Sequence, residues 1–164
     1  MIIENDLPAN IIGQVFAHKL NFIAGILAKN GISLPFLLKD TDIQPHELND
    51  PNHKIHKEQI VAFYRNVLSL KIPTLSILLG ASIKVNDYGL YGCTLLCCKG
   101  LRSALEFAVR YHSLSTKTVA MSLSVDEASG YSYFRFEDSL FANDLIEFNI
   151  EFQCVIVLSL VESV

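Results

Sequence analysis

The hydrophobic period of this chain changes near residue 119, and that change decides the class of fold. Before it, apolar side chains recur three and four apart, as in Leu20, Ile23 and Leu27 or Ile60, Phe63, Tyr64 and Val67. Val119-Ala120-Met121-Ser122-Leu123-Ser124-Val125 then alternates strictly, the pattern of a half-buried strand. Asp126-Glu127-Ala128-Ser129-Gly130 supplies a turn and residues 131–137 a partner strand, so the pair reads as a hairpin. Two strands alone are marginal and need a cover, which the helical segments on either side can provide. The expected class is α+β: a mostly helical domain with a small antiparallel sheet, its hairpin near 119–137, covered by helices.

The helical segments follow from spacing and punctuation. Residues 9–30 read as a first helix, ended by Asn30-Gly31, and Leu34-Pro35 opens a short helical turn. Residues 40–54 are polar, carry Pro45 and Pro51, and read as an internal connection with one turn of helix. A helix over 56–70 stops before Pro73. Another spans 74–83, with Thr74 available as N-cap and Gly80 facing a close neighbour. Asp87 can cap the helix 88–98, Gly100 ends it, and 101–113 forms a further helix with Leu101, Leu105, Ala108, Val109 and His112 available for its buried stripe. The last helix, over 143–163, is apolar nearly all round.

Bulk properties narrow the function. At 164 residues the chain fits one domain that buries roughly two-thirds of its unfolded surface. It is 51% hydrophobic, with mean hydropathy +0.34, so either the core is large or some apolar surface meets a partner. Thirteen Lys plus Arg against 17 Asp plus Glu leave no basic stripe for the counterion release that dominates DNA affinity. The four cysteines are clustered rather than laid out as a disulfide framework. The first residues are acidic where a signal peptide is basic, and the longest apolar run falls far short of the about 20 residues of a membrane span. A reducing cytoplasm and no membrane association are expected. The abrupt apolar end at Val164 reads as a cut from a longer chain.

The richest local pattern is Asn86-Asp87-Tyr88-Gly89-Leu90-Tyr91-Gly92, followed by Leu101-Arg102-Ser103-Ala104-Leu105 and Arg110-Tyr111-His112. With Lys29-Asn30-Gly31, Leu48-Asn49-Asp50-Pro51 and Ile72-Pro73-Thr74-Leu75 running to Gly80, it resembles the N-terminal, "arabinose-binding" type, sensor domain of AraC/XylS-family transcription regulators. Ser76-Ile77-Leu78-Leu79-Gly80 stands where that family often has Gly-Leu-Arg-Leu-Gly, which removes an arginine. The resemblance implies residues 1–164 as a single effector-binding and dimerisation domain of a bacterial regulator. A DNA-binding helix-turn-helix domain would lie C-terminal to this fragment. It also implies a small organic effector, a homodimer, and DNA contact only through the absent domain. No cofactor, no metal and no catalytic residue are expected.

Tyr64, Tyr88, Tyr91, Tyr111 and Arg135 are the candidate ligand-binding residues. A buried tyrosine hydroxyl demands a partner, which a ligand can be, and the planar guanidinium of Arg135 suits a carboxylate. Plainer readings stand beside these. The aromatics also fill a core, Arg135 can pair with Glu137 or Asp126, and Gly89 and Gly92 suit close packing. Cys93, Cys97 and Cys98 read as core packing. Asp144, Glu147 and Glu151 read as a solvated stripe. Two other functions remain open: a haem or gas sensor using His112, with Tyr131 and Arg135 four apart as such sensors have them, and a ligand-free interaction module. Nothing brings a nucleophile, base and orienting group together in sequence, and an enzyme is not expected.

Overall fold

Among the described residues three short strands precede the hairpin, and helices are folded against it. The computed structural model of the protein describes residues 2–3, 14–50 and 53–163. In chain order these form β1 (Ile2–Ile3), β2 (Gln14–Phe16), α1 (His18–Lys29), α2 (Leu34–Leu37), β3 (Lys54–His56), α3 (Lys57–Leu68), α4 (Leu75–Ser82), α5 (Gly89–Leu96), α6 (Leu101–Arg110), α7 (His112–Ser115), β4 (Val119–Asp126), β5 (Tyr131–Asp138) and α8 (Ile146–Ser163). The architecture is α+β, as the change of period predicts.

The hairpin register pairs Val119 with Asp138, Met121 with Phe136 and Leu123 with Phe134. Val119, Met121 and Leu123 are buried and Phe134 and Phe136 half-buried, while Tyr131, Tyr133 and Arg135 face outward. β1 adds a third strand, antiparallel to β4 through Ile2 and Ser124. The cover comes from α6 and α8.

A second sheet was not legible in the sequence. Residues 14–16, read as helix, pair antiparallel with residues 54–56, Val15 opposite Ile55. The first helix therefore begins at His18; residues 9–13 lie outside the described part. Two other expectations fail locally. Thr74 does not cap α4: it adopts a left-handed backbone (φ 58°) and turns its hydroxyl to the Pro73 carbonyl. The Asp87 carboxylate accepts from the Lys84 N–H at 2.7 Å, closing a single 3₁₀ turn over Val85–Tyr88 instead of capping α5.

Gly89 and Gly92 now have separate reasons. Gly89 joins that turn to α5 at φ 56° and ψ −133°, a conformation that a side chain resists. A Cβ on Gly92 would overlap the Val85 backbone carbonyl. Gly80 lets α4 lie against α8, where an added Cβ would come within 2.9 Å of both the Phe152 carbonyl oxygen and Val155 Cβ. α8 buries Phe148, Asn149, Phe152, Gln153, Ile156, Val157 and Leu160, as a helix apolar nearly all round must. Edge-on contact of the Phe148 and Tyr64 rings (centroids 5.3 Å apart) joins it to α3.

Candidate functional site

Between the hairpin and its helical cover lies a small apolar void of about 10 Å³, room for about one water molecule. Ala104 and Ala108, one turn apart on α6, form one wall because their side chains are too short to reach the sheet. Met121 and Phe134 form the floor, with Leu95 of α5 and Val157 and Leu160 of α8 closing the sides. None of the five candidate residues lines it.

Three of the five candidates gather beside this pocket. Tyr64 and Tyr88 have buried hydroxyls without a hydrogen-bond partner among the described residues. The Tyr88 and Tyr91 rings meet edge-on, centroids 6.0 Å apart, and Tyr91 donates its hydroxyl to the Ala108 carbonyl at 3.0 Å. The cluster thus touches the pocket through Ala108. Burial drives all three phenols well above the usual tyrosine range, and at Tyr88 the neighbouring Tyr91 and Tyr64 add to it; each remains a neutral O–H donor.

The other two lie at the surface. Tyr111 is 38% exposed, its ring 4.6 Å from that of Phe107 between centroids. Arg135 projects from the outer face of β5 and pairs with Glu137 at 2.9 Å, the plainer of its two readings.

A buried polar cluster around Lys19 was not legible in the sequence from residue type alone. Lys19 of α1 is 3% exposed. Its ammonium donates to Thr116 Oγ1 at 3.2 Å and sits 5.0 Å from the centre of the Phe152 ring. Among the described residues no carboxylate reaches it. Burial alone pulls its pKa down to about 7, because an unpaired ammonium in an apolar interior loses its hydration. Thr116 and Thr118 share a hydroxyl hydrogen bond of 3.1 Å. His112 Nε2 is buried without a hydrogen-bond partner among the described residues, and burial, reinforced by Lys19, lowers the His112 pKa to about 4. The signal was present: Lys19, Ile23 and Leu27 are spaced i, i+4, i+8, so the lysine falls on the buried stripe.

The remaining constellations separate. His112 is buried, whereas Tyr131 is 66% exposed and Arg135 points outward, so the three do not converge as the haem reading requires. Cys93 and Cys97 are exposed and Cys98 and Cys154 half-buried. This corrects the core-packing expectation for Cys93 and Cys97, since α5 buries Gly92 and Leu95 instead, while Cys98 packs against the core. Asp144, Glu147 and Glu151 are exposed, as expected of a solvated stripe. They line an open acidic groove where Arg65 holds Asp144 through two hydrogen bonds of 2.7 and 2.9 Å. Among the described residues no group of three or more His, Cys, Asp or Glu could hold a metal ion, and no helix is long and apolar enough to cross a membrane.

Comparison with known proteins agrees with the resemblance read from the motifs. Residues 31–164 match the family described as the arabinose-binding domain of AraC transcription regulators, N-terminal. An uncharacterized HTH-type transcriptional regulator of Mycobacterium bovis is 26% identical over 119 residues, covering 71% of this chain and 34% of the relative. One of Mycobacterium tuberculosis matches with the same identity and coverage. The chain spans about a third of the length of these relatives. With most of the sequence matched and every quoted motif inside it except the start of Lys29-Asn30-Gly31, the chain belongs to the family of arabinose-binding N-terminal domains of AraC transcription regulators.

Proposed function

We propose that this domain senses a small organic effector in the pocket under the hairpin and transmits its occupancy through α8. The observation that carries the reading is the match of residues 31–164 to a sensor-domain family, supported by a small apolar void between the hairpin, α6 and α8 that an effector would widen. Most buried polar groups in folded proteins are satisfied, and the Tyr64 and Tyr88 hydroxyls, which lack a partner among the described residues, are open to an effector's polar group. Tyr91 reaches the wall of this void through its hydrogen bond to the Ala108 carbonyl, and the Tyr88 ring packs on Tyr91. Val157 and Leu160 place α8 in direct contact with whatever fills the space. Occupancy then biases two arrangements of α8, by no more than the effector's difference in affinity for them.

In the full-length regulator α8 leads toward a helix-turn-helix region that binds DNA, and two sensor domains associate. Exposed Leu78, Leu90 and Leu158, on α4, α5 and α8, supply apolar surface for a second copy.

The test is a thermal-shift screen of the protein against metabolites, with Ala104→Leu as a pocket-filled control and gel filtration of both forms. The reading expects a stabilising compound whose effect disappears in Ala104→Leu, and a species of dimer size. A compound that stabilises both forms equally would move the site elsewhere. No stabiliser at all, with a monomer, would favour the ligand-free interaction module.

A further inference from the structure

The hairpin sheet ends one strand short of its own apolar face. Val119, Met121 and Leu123 of β4 are 2%, 4% and 1% exposed, whereas Phe134 and Phe136 of β5, on the same face of the hairpin, stay half-buried. Their rings stack on each other, centroids 6.2 Å apart. In the sheet order β1-β4-β5 the far side of β5 has no neighbouring strand among the described residues. The edge is also regular. Every residue of Tyr131–Asp138 has a partner on β4, without a bulge, and the strand carries neither proline nor lysine, the usual guards of an exposed edge.

The backbone of β5 divides its hydrogen-bonding groups between two sides. Ser139 donates its N–H to the Thr118 carbonyl at 3.0 Å, one step beyond the Val119–Asp138 pair. Pointing direction alternates along an antiparallel ladder, so Tyr133, Arg135 and Glu137 turn their N–H and C=O toward β4. Ser132, Phe134 and Phe136 turn theirs to the open edge.

From this edge we infer that β5 pairs antiparallel with β5 of a second copy, joining the two sheets across a twofold axis at Phe134. The inference rests on the reading that two sensor domains associate, and it names a surface apart from the exposed leucines of α4, α5 and α8.

The strand selects itself as partner because its outer face is self-complementary. With Phe134 opposite its own counterpart, Arg135 stands opposite Tyr133 of the other copy and Glu137 opposite Tyr131, on both sides of the axis. The guanidinium then lies against an aromatic ring, and the carboxylate faces a phenol that donates to it. All four side chains are exposed and stand on one face of the strand. On the inner face the two Phe134 rings meet at the axis, which covers apolar surface the single sheet leaves open. Neighbouring registers are worse. An axis at Arg135 sets two guanidiniums opposite each other, and an axis at Phe136 shortens the overlap and sets Phe134 against the Asp138 carboxylate. The twofold pairing uses both free edges at once, so it closes at two copies instead of propagating.

The test is sedimentation equilibrium of the protein, of Ser132→Pro and of Arg135→Glu, with circular dichroism to check folding. Ser132→Pro removes an N–H at the open edge and spares the bonds to β4; Arg135→Glu leaves the backbone untouched. The inference expects a wild-type dimer and association weaker by roughly tenfold or more in both variants. Register is read separately, with the exposed thiols removed as Cys93→Ser and Cys97→Ser. Mild oxidation of a mixture of Tyr133→Cys and Arg135→Cys proteins then yields a disulfide-linked dimer that neither protein yields alone. Should Ser132→Pro fail to fold, Arg135→Glu and the cross-link decide. A wild-type dimer that survives Arg135→Glu and gives no cross-link in the mixture overturns the edge pairing and leaves association to another surface. A monomeric wild type overturns both.

Discussion

The Val85 backbone carbonyl occupies the space into which a Cβ on Gly92 would project. The contact holds the 3₁₀ turn Val85–Tyr88 against α5 and so fixes where Tyr88 and Tyr91 stand. Gly92→Ala forces backbone to move and is expected to cost about 3 kcal/mol. Gly89→Ala meets no atom within 4 Å and pays only for its positive φ, about 1–2 kcal/mol. Urea denaturation of the two variants checks the order; equal losses would contradict it.

Two buried basic groups make stability depend on pH in the same direction. The Lys19 amine titrates near 7 in the folded protein against a reference of 10.5. Between those values the unfolded chain binds the extra proton, so stability rises with pH by up to about 1.4 kcal/mol per unit. His112 is lowered to about 4 from 6.5, so stability falls as the pH drops from 6.5 to 4. Lys19→Met removes the alkaline slope, keeps the acid one, and raises stability at pH 7 by about 1 kcal/mol or more. Thermal midpoints from pH 4 to 10 measure both limbs.

Tyr64 and Tyr91 are both deeply buried phenols, yet losing the hydroxyl should act oppositely. Tyr91→Phe deletes the hydrogen bond to the Ala108 carbonyl and is expected to cost about 1 kcal/mol. Tyr64→Phe removes an unpartnered hydroxyl and should be neutral or stabilising by up to about 1 kcal/mol. A Tyr64→Phe variant destabilised as much as Tyr91→Phe would mean that the hydroxyl has a partner in the empty protein.

What could be read from the sequence follows from which forces act locally. The hairpin was legible because its alternation is two residues long, and α3 because Ile60, Phe63, Tyr64 and Val67 repeat at helical spacing before Pro73. The β2–β3 pair was not, since three residues carry no period and their pairing across about forty positions is set by tertiary contact. Position hid the cysteines: on a helix of eight residues, apolar composition does not say which side faces in. Lys19 was passed over because a charge suggests solvent, although its spacing to Ile23 and Leu27 put it inside. The tyrosine cluster was found by the demand of buried hydroxyls, and the surface positions of Tyr111 and Arg135 depended on packing no single residue type encodes.

The central claim is that occupancy of the pocket is felt by α8. Hydrogen–deuterium exchange of the protein, with and without a compound that raises its melting temperature, measures this directly. The account predicts slower exchange in Leu101–Arg110, Val119–Asp126 and Ile146–Ser163 together. Protection that appears elsewhere while α8 exchanges unchanged would contradict it.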